Sequence, residues 1–233
     1  MSTAIARPAA ERRFYVGAAI GIVVVVLAGF SIDIDLLRDM SSLSMLVRVH
    51  GLVMFGWIVL FVTQTVLVAR HRVDWHRRLG IFGAALAAAI VIADTATVVN
   101  AARLGGNHLP PGIPVPLFVA FSFFDLFTFA ILVGGAVVLR ARSAWHKRLM
   151  LLATILVLDA ALARFITAYT SWDIDVSTAR DLLILACVVI DTWRYRRLHP
   201  AFVVGGLLTF VTDPFAHWVA ALPMWARVCA WLS

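Results

Sequence analysis

Seven runs of predominantly apolar residues recur along the chain, near 14–31, 46–69, 79–101, 116–140, 149–171, 181–195 and 200–221. A helix rises about 1.5 Å per residue, so roughly 20 apolar residues cross a hydrocarbon core of about 30 Å. The pattern therefore predicts an all-α membrane protein, a bundle of seven transmembrane helices forming a single domain over 1–233. The run at 181–195 is short and ends in charge; if it only dips into the interface, the count falls to six. The stretches between runs, of which 31–44 and 102–115 are the longest, are too short for an extramembrane domain. Gly105, Gly106, Pro110, Pro111, Pro114 and Pro116 make the third connection a non-helical turn.

Composition agrees with the pattern. Of 233 residues, 62% are apolar and 14% charged, with a mean hydropathy of +0.94, whereas a soluble domain is about half apolar and a quarter charged. A sequence pI near 10.6 would suit a nucleic-acid partner, but the basic residues do not form one patch. They flank the apolar runs on alternate sides: Arg7, Arg12 and Arg13 before the first, then Arg70, Arg72, Arg77 and Arg78, then Arg140, Arg142, Lys147 and Arg148, then Arg194, Arg196 and Arg197. The opposite connections hold Asp33, Asp35 and Asp39, Arg103 alone, and Asp173 and Asp175. Cytoplasmic loops collect Lys and Arg, so this alternation predicts a bacterial inner-membrane protein with its N-terminus inside and its C-terminus outside. The expected partner is the lipid bilayer, and nucleic acid is excluded. Residues 2–13 precede the first run as in a signal peptide, but no small-x-small cleavage site follows, so the first helix is expected to stay as an anchor. Cys187 and Cys229 have neither disulfide nor zinc spacing and are read as unpaired.

Trp75 to Gly80 reads Trp-His-Arg-Arg-Leu-Gly, and Trp145 to Met150 reads Trp-His-Lys-Arg-Leu-Met. The match suggests a tandem hairpin repeat, 46–101 and 116–171, although Trp, His, Lys and Arg are all favoured at an inner interface. Those two segments, with Arg48-Val-His50-Gly51, residues up to Thr154, Arg164, Asp191 and Arg197-Leu-His199-Pro200-Ala201, resemble an uncharacterised bacterial family of multi-pass integral membrane proteins. The resemblance runs over nearly the whole chain and implies an architecture without implying an activity. Asp213-Pro214-Phe215-Ala216-His217 departs from the Gln-Pro and Arg expected there.

Ionisable groups within a bilayer are costly and are functional candidates for that reason. Counting depth along the runs places Asp94, Asp125, Asp159, Arg164, Asp213 and His217 between mid-membrane and the outer face, joined by Arg48 and His50. Four carboxylates then face two arginines and two histidines, as in one outward-opening polar site. Plain helix-to-helix ties are the alternative. Asp191 is expected to pair with its neighbours Arg194 and Arg196.

Haem b in a bundle takes two imidazoles at one depth on different helices. His76 and His146 share an inner level and His50 and His217 an outer one, so these four are the candidate haem ligands; no other metal site is expected. His71, His108 and His199 read as surface residues. The aromatic run Phe118 to Phe129 around Asp125 is a packing or lipid-facing surface, or else a wall for a quinone. No P-loop, dinucleotide fingerprint, Gly-x-Ser-x-Gly elbow or His-Glu-x-x-His site occurs. Three functions fit: a b-type haem protein linked to quinone, a transporter or proton-coupled protein using the polar site, and a non-catalytic membrane subunit.

Overall fold

A computed structural model describes residues 3–33, 43–105, 109, 113–171 and 174–232. Gly106, Asp35, Asp39, His108, Pro110, Pro111 and Asp173 lie outside the described residues. All regular structure among the described residues is helical: α1 (Thr3–Phe30) with a 3-10 turn at Ser31–Asp33, α2 (Met45–Ala69), α3 (Val73–Leu104), α4 (Val115–Val138), α5 (Ser143–Leu156), α6 (Asp159–Tyr169), α7 (Val176–Tyr195), α8 (Pro200–Ala220) and α9 (Pro223–Leu232). Five of these, α1 to α4 and α8, are long and apolar enough to cross a membrane.

Two of the expected spans come out differently. The run at 149–171 is two helices, α5 and α6, bent by 52° at Val157 and Leu158. Counted as one broken span, they raise the number to six. The run at 181–195 begins earlier than its hydropathy indicates, because Asp175 caps α7 by accepting from the Ser177 and Thr178 amides. Starting there brings Arg180 into the helix. With Asp181, Asp191 and Arg194 already present, α7 is long enough to span but too charged to pass as an apolar one.

Local sequence sets the other helix ends. Ser44 caps α2 by accepting from the Val47 amide, and Pro116 and Pro200 stand in the first turns of α4 and α8, where a missing N–H costs nothing. His71 and Arg196 take left-handed backbone angles in the short turns after α2 and α7.

The core lies where α4, α5, α7 and α8 meet. Trp57 of α2 reaches into it, donating from its indole to Thr154 at 3.3 Å and lying edge-on to Phe129. Large apolar side chains stand exposed along the outward faces, among them Leu52 and Phe55 on α2, Ile81 and Ile92 on α3, and Val204 and Leu207 on α8. Such unbroken apolar exterior is what a bilayer solvates and water does not.

Helix α1 packs on α2 and α6. Its basic end meets the start of α5 through a Glu11–Lys147 ion pair, and its other end is tied by a 2.7 Å hydrogen bond between the hydroxyls of Ser31 and Tyr169. The approach to α6 is backbone to backbone: a Cβ on Gly29 would collide with the Ala161 carbonyl, whereas one on Gly17 or Gly21 meets nothing. Gly29→Ala is therefore expected to destabilise the protein by about 1–3 kcal/mol, as overpacking does, while Gly21→Ala leaves it unchanged. Thermal unfolding of the two variants in one detergent checks this.

Candidate polar site

Three carboxylates meet at one place, two of them beside a helix break or an internal proline. Asp159 stands in the first turn of α6, just after the α5–α6 break. Asp213 immediately precedes Pro214, the proline inside α8, which cannot donate to the carbonyl four residues back. Asp125 lies on α4. Between them is Arg180 of α7, 0% exposed. Its Nη1 donates to Asp159 Oδ2 at 2.7 Å and to Asp125 Oδ1 at 3.4 Å, and its Nη2 donates to Asp213 Oδ2 at 2.6 Å. Asp181 is paired with its Nε at 3.6 Å.

One guanidinium thus faces four carboxylates drawn from four helices. The acids form the rim, with Asp125, Asp159 and Asp181 22–32% exposed and Asp213 13%. Two rim atoms, Asp159 Oδ1 and Asp181 Oδ1, are buried with no hydrogen-bond partner among the described residues.

The cations expected for this site are elsewhere. Arg164 donates to the Ala160 carbonyl and lies over the Phe30 ring. Arg48 sits half-buried in the first turn of α2. His50 is paired with Asp94, Nδ1 to Oδ1 at 3.4 Å, forming a separate contact between α2 and α3. Of the polar residues named from sequence, Asp125, Asp159 and Asp213 converge. Arg180, which joins them, was not among those named, because it falls just outside the apolar run that locates α7.

A second charged network lies toward the basic end. Arg148 Nε donates to Asp191 Oδ2 at 3.0 Å and Nη2 to Oδ1 at 2.8 Å, with the two side chains 2% and 1% exposed. The guanidinium also lies against the Tyr195 and Phe202 rings and donates to the Ala144 carbonyl. Asp191 therefore pairs across to α5 rather than with Arg194 or Arg196 beside it. Arg194 lies over the Phe14 ring of α1 instead, and Arg196 stands past the last residue of α7.

Of the four candidate haem ligands, His76 and His146 come together, their ring centres 6.0 Å apart and their planes at 84°. His50 goes to Asp94, and His217 to Phe121 edge-on at 4.7 Å and to the Asp213 carbonyl. The aromatic run does not form one wall. Phe123 and Phe127 face outward, Phe129 packs in the core against Trp57, and Phe124 contacts Phe215 and Trp225. Among the described residues, no three His, Cys, Asp or Glu side chains are placed to hold a metal ion. Cys187 and Cys229 are not joined in a disulfide.

His199 is not simply a surface residue: its Nδ1 caps α8 by accepting from the Ala201 amide at 3.1 Å. Burial, then Arg148, lowers its pKa from the usual 6.5, with Lys147 and Arg197 acting in the same direction and Asp191 opposing them. The folded pKa lies below the unfolded one, so the cap's contribution is complete above the unfolded value and is lost as pH falls through the folded value. A protonated Nδ1 has no lone pair to accept with. Amide exchange in the first turn of α8 is expected to quicken on acidification from neutral pH, and the effect should disappear in His199→Asn, whose cap does not titrate. In the Arg148–Asp191 network, Asp191→Ala is expected to cost about 3–5 kcal/mol, since it strands a buried guanidinium; chemical denaturation in mixed micelles measures it. No protein-family model, no curated protein and no solved structure matches the chain.

Proposed function

We propose that this is a proton-coupled membrane protein of the transporter type, working through the Arg180 cluster. The observation that carries the reading is stoichiometric. At the inner network one guanidinium meets one carboxylate and both are sealed, which is what a structural tie requires. At Arg180 one guanidinium meets four carboxylates. Excess negative charge cannot persist in an apolar interior, where isolated ions cost far more than in water. The surplus acids must be neutralised by protons or by a cation, and their partial exposure gives those neutralising species a way in.

The helix interruptions support the same reading. Transporter sites are commonly built where broken helices expose backbone groups at the level of the ligand, and here the α5–α6 break adjoins Asp159 while Pro214 adjoins Asp213. Arg180 ties these segments to α4 and α7 through charge, beside the Thr128–Thr212 hydrogen bond and the Phe124–Phe215 contact that join α4 to α8. A change in protonation of Asp125, Asp159 or Asp213 alters how many of those segments it can hold.

The redox alternative, haem b exchanging electrons with quinone, draws on His76 and His146 and on no residue of this cluster. A non-catalytic subunit role has no observation in its favour beyond the membrane fold.

The test uses folded protein in lipid. Infrared difference spectra between acid and alkaline pH are expected to show a carboxylic C=O band that weakens in Asp125→Asn and again in Asp159→Asn. In proteoliposomes the same variants are expected to lose pH-driven proton exchange by about tenfold or more while keeping wild-type helicity. Absence of a titrating carboxyl band in the wild type, or variants that unfold instead of losing exchange, would establish the cluster as a structural tie.

A further inference from the structure

The basic end of α1 divides into two faces. On one, Glu11 pairs with Lys147, Phe14 lies under the Arg194 guanidinium and the Tyr15 ring lies under the Lys147 amine. That face is taken up within the bundle. Arg12 and Arg13 stand on the other, and among the described residues neither side chain makes an ion pair or hydrogen bond. They head a groove of about 440 Å³ between α1 and the end of α2, whose remaining walls are Val16, Gly17, Ile20 and Ala69. A Cβ on Gly17, or on Gly21 one turn further, meets no atom within 4 Å, so the helix surface is notched there. Past the notch, Ile20, Val24 and Leu27 are 57–61% exposed.

The order along this face is charge, then notch, then apolar surface. From Arg13 to Leu27 is fourteen residues, about 21 Å of helix, which exceeds the roughly 15 Å of one leaflet of the hydrocarbon core. A phospholipid presents the same order on the same scale, with phosphate at the surface and acyl chains beneath. Guanidinium groups bind phosphate oxygens through parallel N–H bonds. Two of them with no carboxylate to answer them favour a headgroup of net negative charge over a zwitterionic one.

A second copy of the chain is the other occupant that a Gly-x-x-x-Gly face accepts. All copies are inserted the same way up, however, so a two-fold pair on this face would set four guanidiniums side by side. An anionic lipid brings the opposite charge to the same place.

We propose that the groove headed by Arg12 and Arg13 is a binding site for an anionic phospholipid, its phosphate on the two guanidiniums and an acyl chain along Gly17 and Ile20. The site shares no residue with the Arg180 cluster and is independent of the proton-coupled reading.

The test titrates full-length protein in mild detergent with dioleoyl phosphatidylglycerol or dioleoyl phosphatidylcholine and follows bound lipid by native mass spectrometry. The first phosphatidylglycerol is expected to bind about tenfold more tightly than the first phosphatidylcholine. Arg12→Gln with Arg13→Gln should remove most of that preference, whereas Arg140→Gln with Arg142→Gln, an equal loss of charge outside the groove, keeps it. Gly17→Leu fills the notch where no protein atom stands and should weaken phosphatidylglycerol binding about fivefold with both arginines in place. Equal affinity for the two lipids overturns the proposal, and so does a preference that both double variants reduce alike, the mark of a diffuse charge effect. Wild-type lipid binding in Gly17→Leu also overturns it. If that variant in addition turns a wild-type dimer into monomers, the groove belongs to a second copy.

Discussion

Burying a guanidinium away from water is the constraint around which this bundle is arranged. Arg180 is fully enclosed, and an unpaired buried charge is intolerable in an apolar medium. Asp125, Asp159 and Asp213 must reach it from α4, α6 and α8, which fixes the relative heights of those helices. Eleven residues further along α7, Asp191 makes the opposite demand and is met by Arg148 of α5. Eleven residues are close to three helical turns, so Arg180, Ile184 and Asp191 share one buried stripe of α7. The helix is clamped at two levels about 16 Å apart, once by carboxylates and once by a guanidinium.

The two clamps differ in kind. The Arg148–Asp191 pair is bidentate, sealed and flanked by rings, a geometry with a single arrangement. Around Arg180 there are more carboxylates than one guanidinium can satisfy at short range: Asp159 and Asp213 lie at 2.7 and 2.6 Å, Asp125 at 3.4 Å and Asp181 at 3.6 Å. Which acids are bonded is a matter of which are charged. Asp159 follows the α5–α6 break and Asp213 precedes the proline inside α8, so the network with several arrangements is also the one attached where the backbone ladder is incomplete.

Much of this was legible in the chain. The apolar runs locate the long helices, and the depth count places Asp125, Asp159 and Asp213 at a common level. The break after Leu156 was not legible, because no proline or glycine stands at Val157 or Leu158 and hydropathy continues across it. Arg180 was missed because a search for apolar runs ends where charge begins, and α7 owes its first turns to the Asp175 cap instead of to apolarity. The charge count gave no warning either: four carboxylates set against Arg48, Arg164, His50 and His217 came out nearly balanced, so no further cation was sought. For Asp191, sequence proximity to Arg194 and Arg196 misled, since Arg194 turns to the Phe14 ring and Arg196 lies beyond the helix end, while Arg148 of α5 reaches the buried carboxylate.

The same helix shows why span counting by hydropathy stalls at α7. Averaged over its length, α7 is too polar to be counted among the apolar helices. Sorted by face, it is not polar where lipid would touch it. Leu182, Leu185, Val189, Ile190 and Trp193 are all exposed, whereas of the four charges that depress the average Arg180 and Asp191 are buried and Asp181 and Arg194 half-buried. In a soluble helix the apolar stripe points inward and the charges outward. Here that order is reversed, which is the pattern of a helix whose outer solvent is hydrocarbon and whose inner partners are ionic. An average cannot distinguish the two cases, because it discards the side of the helix on which each residue lies. The energetic cost of α7 is therefore set by whether its charged stripe is matched, and Arg148 and the Arg180 acids match it at both ends.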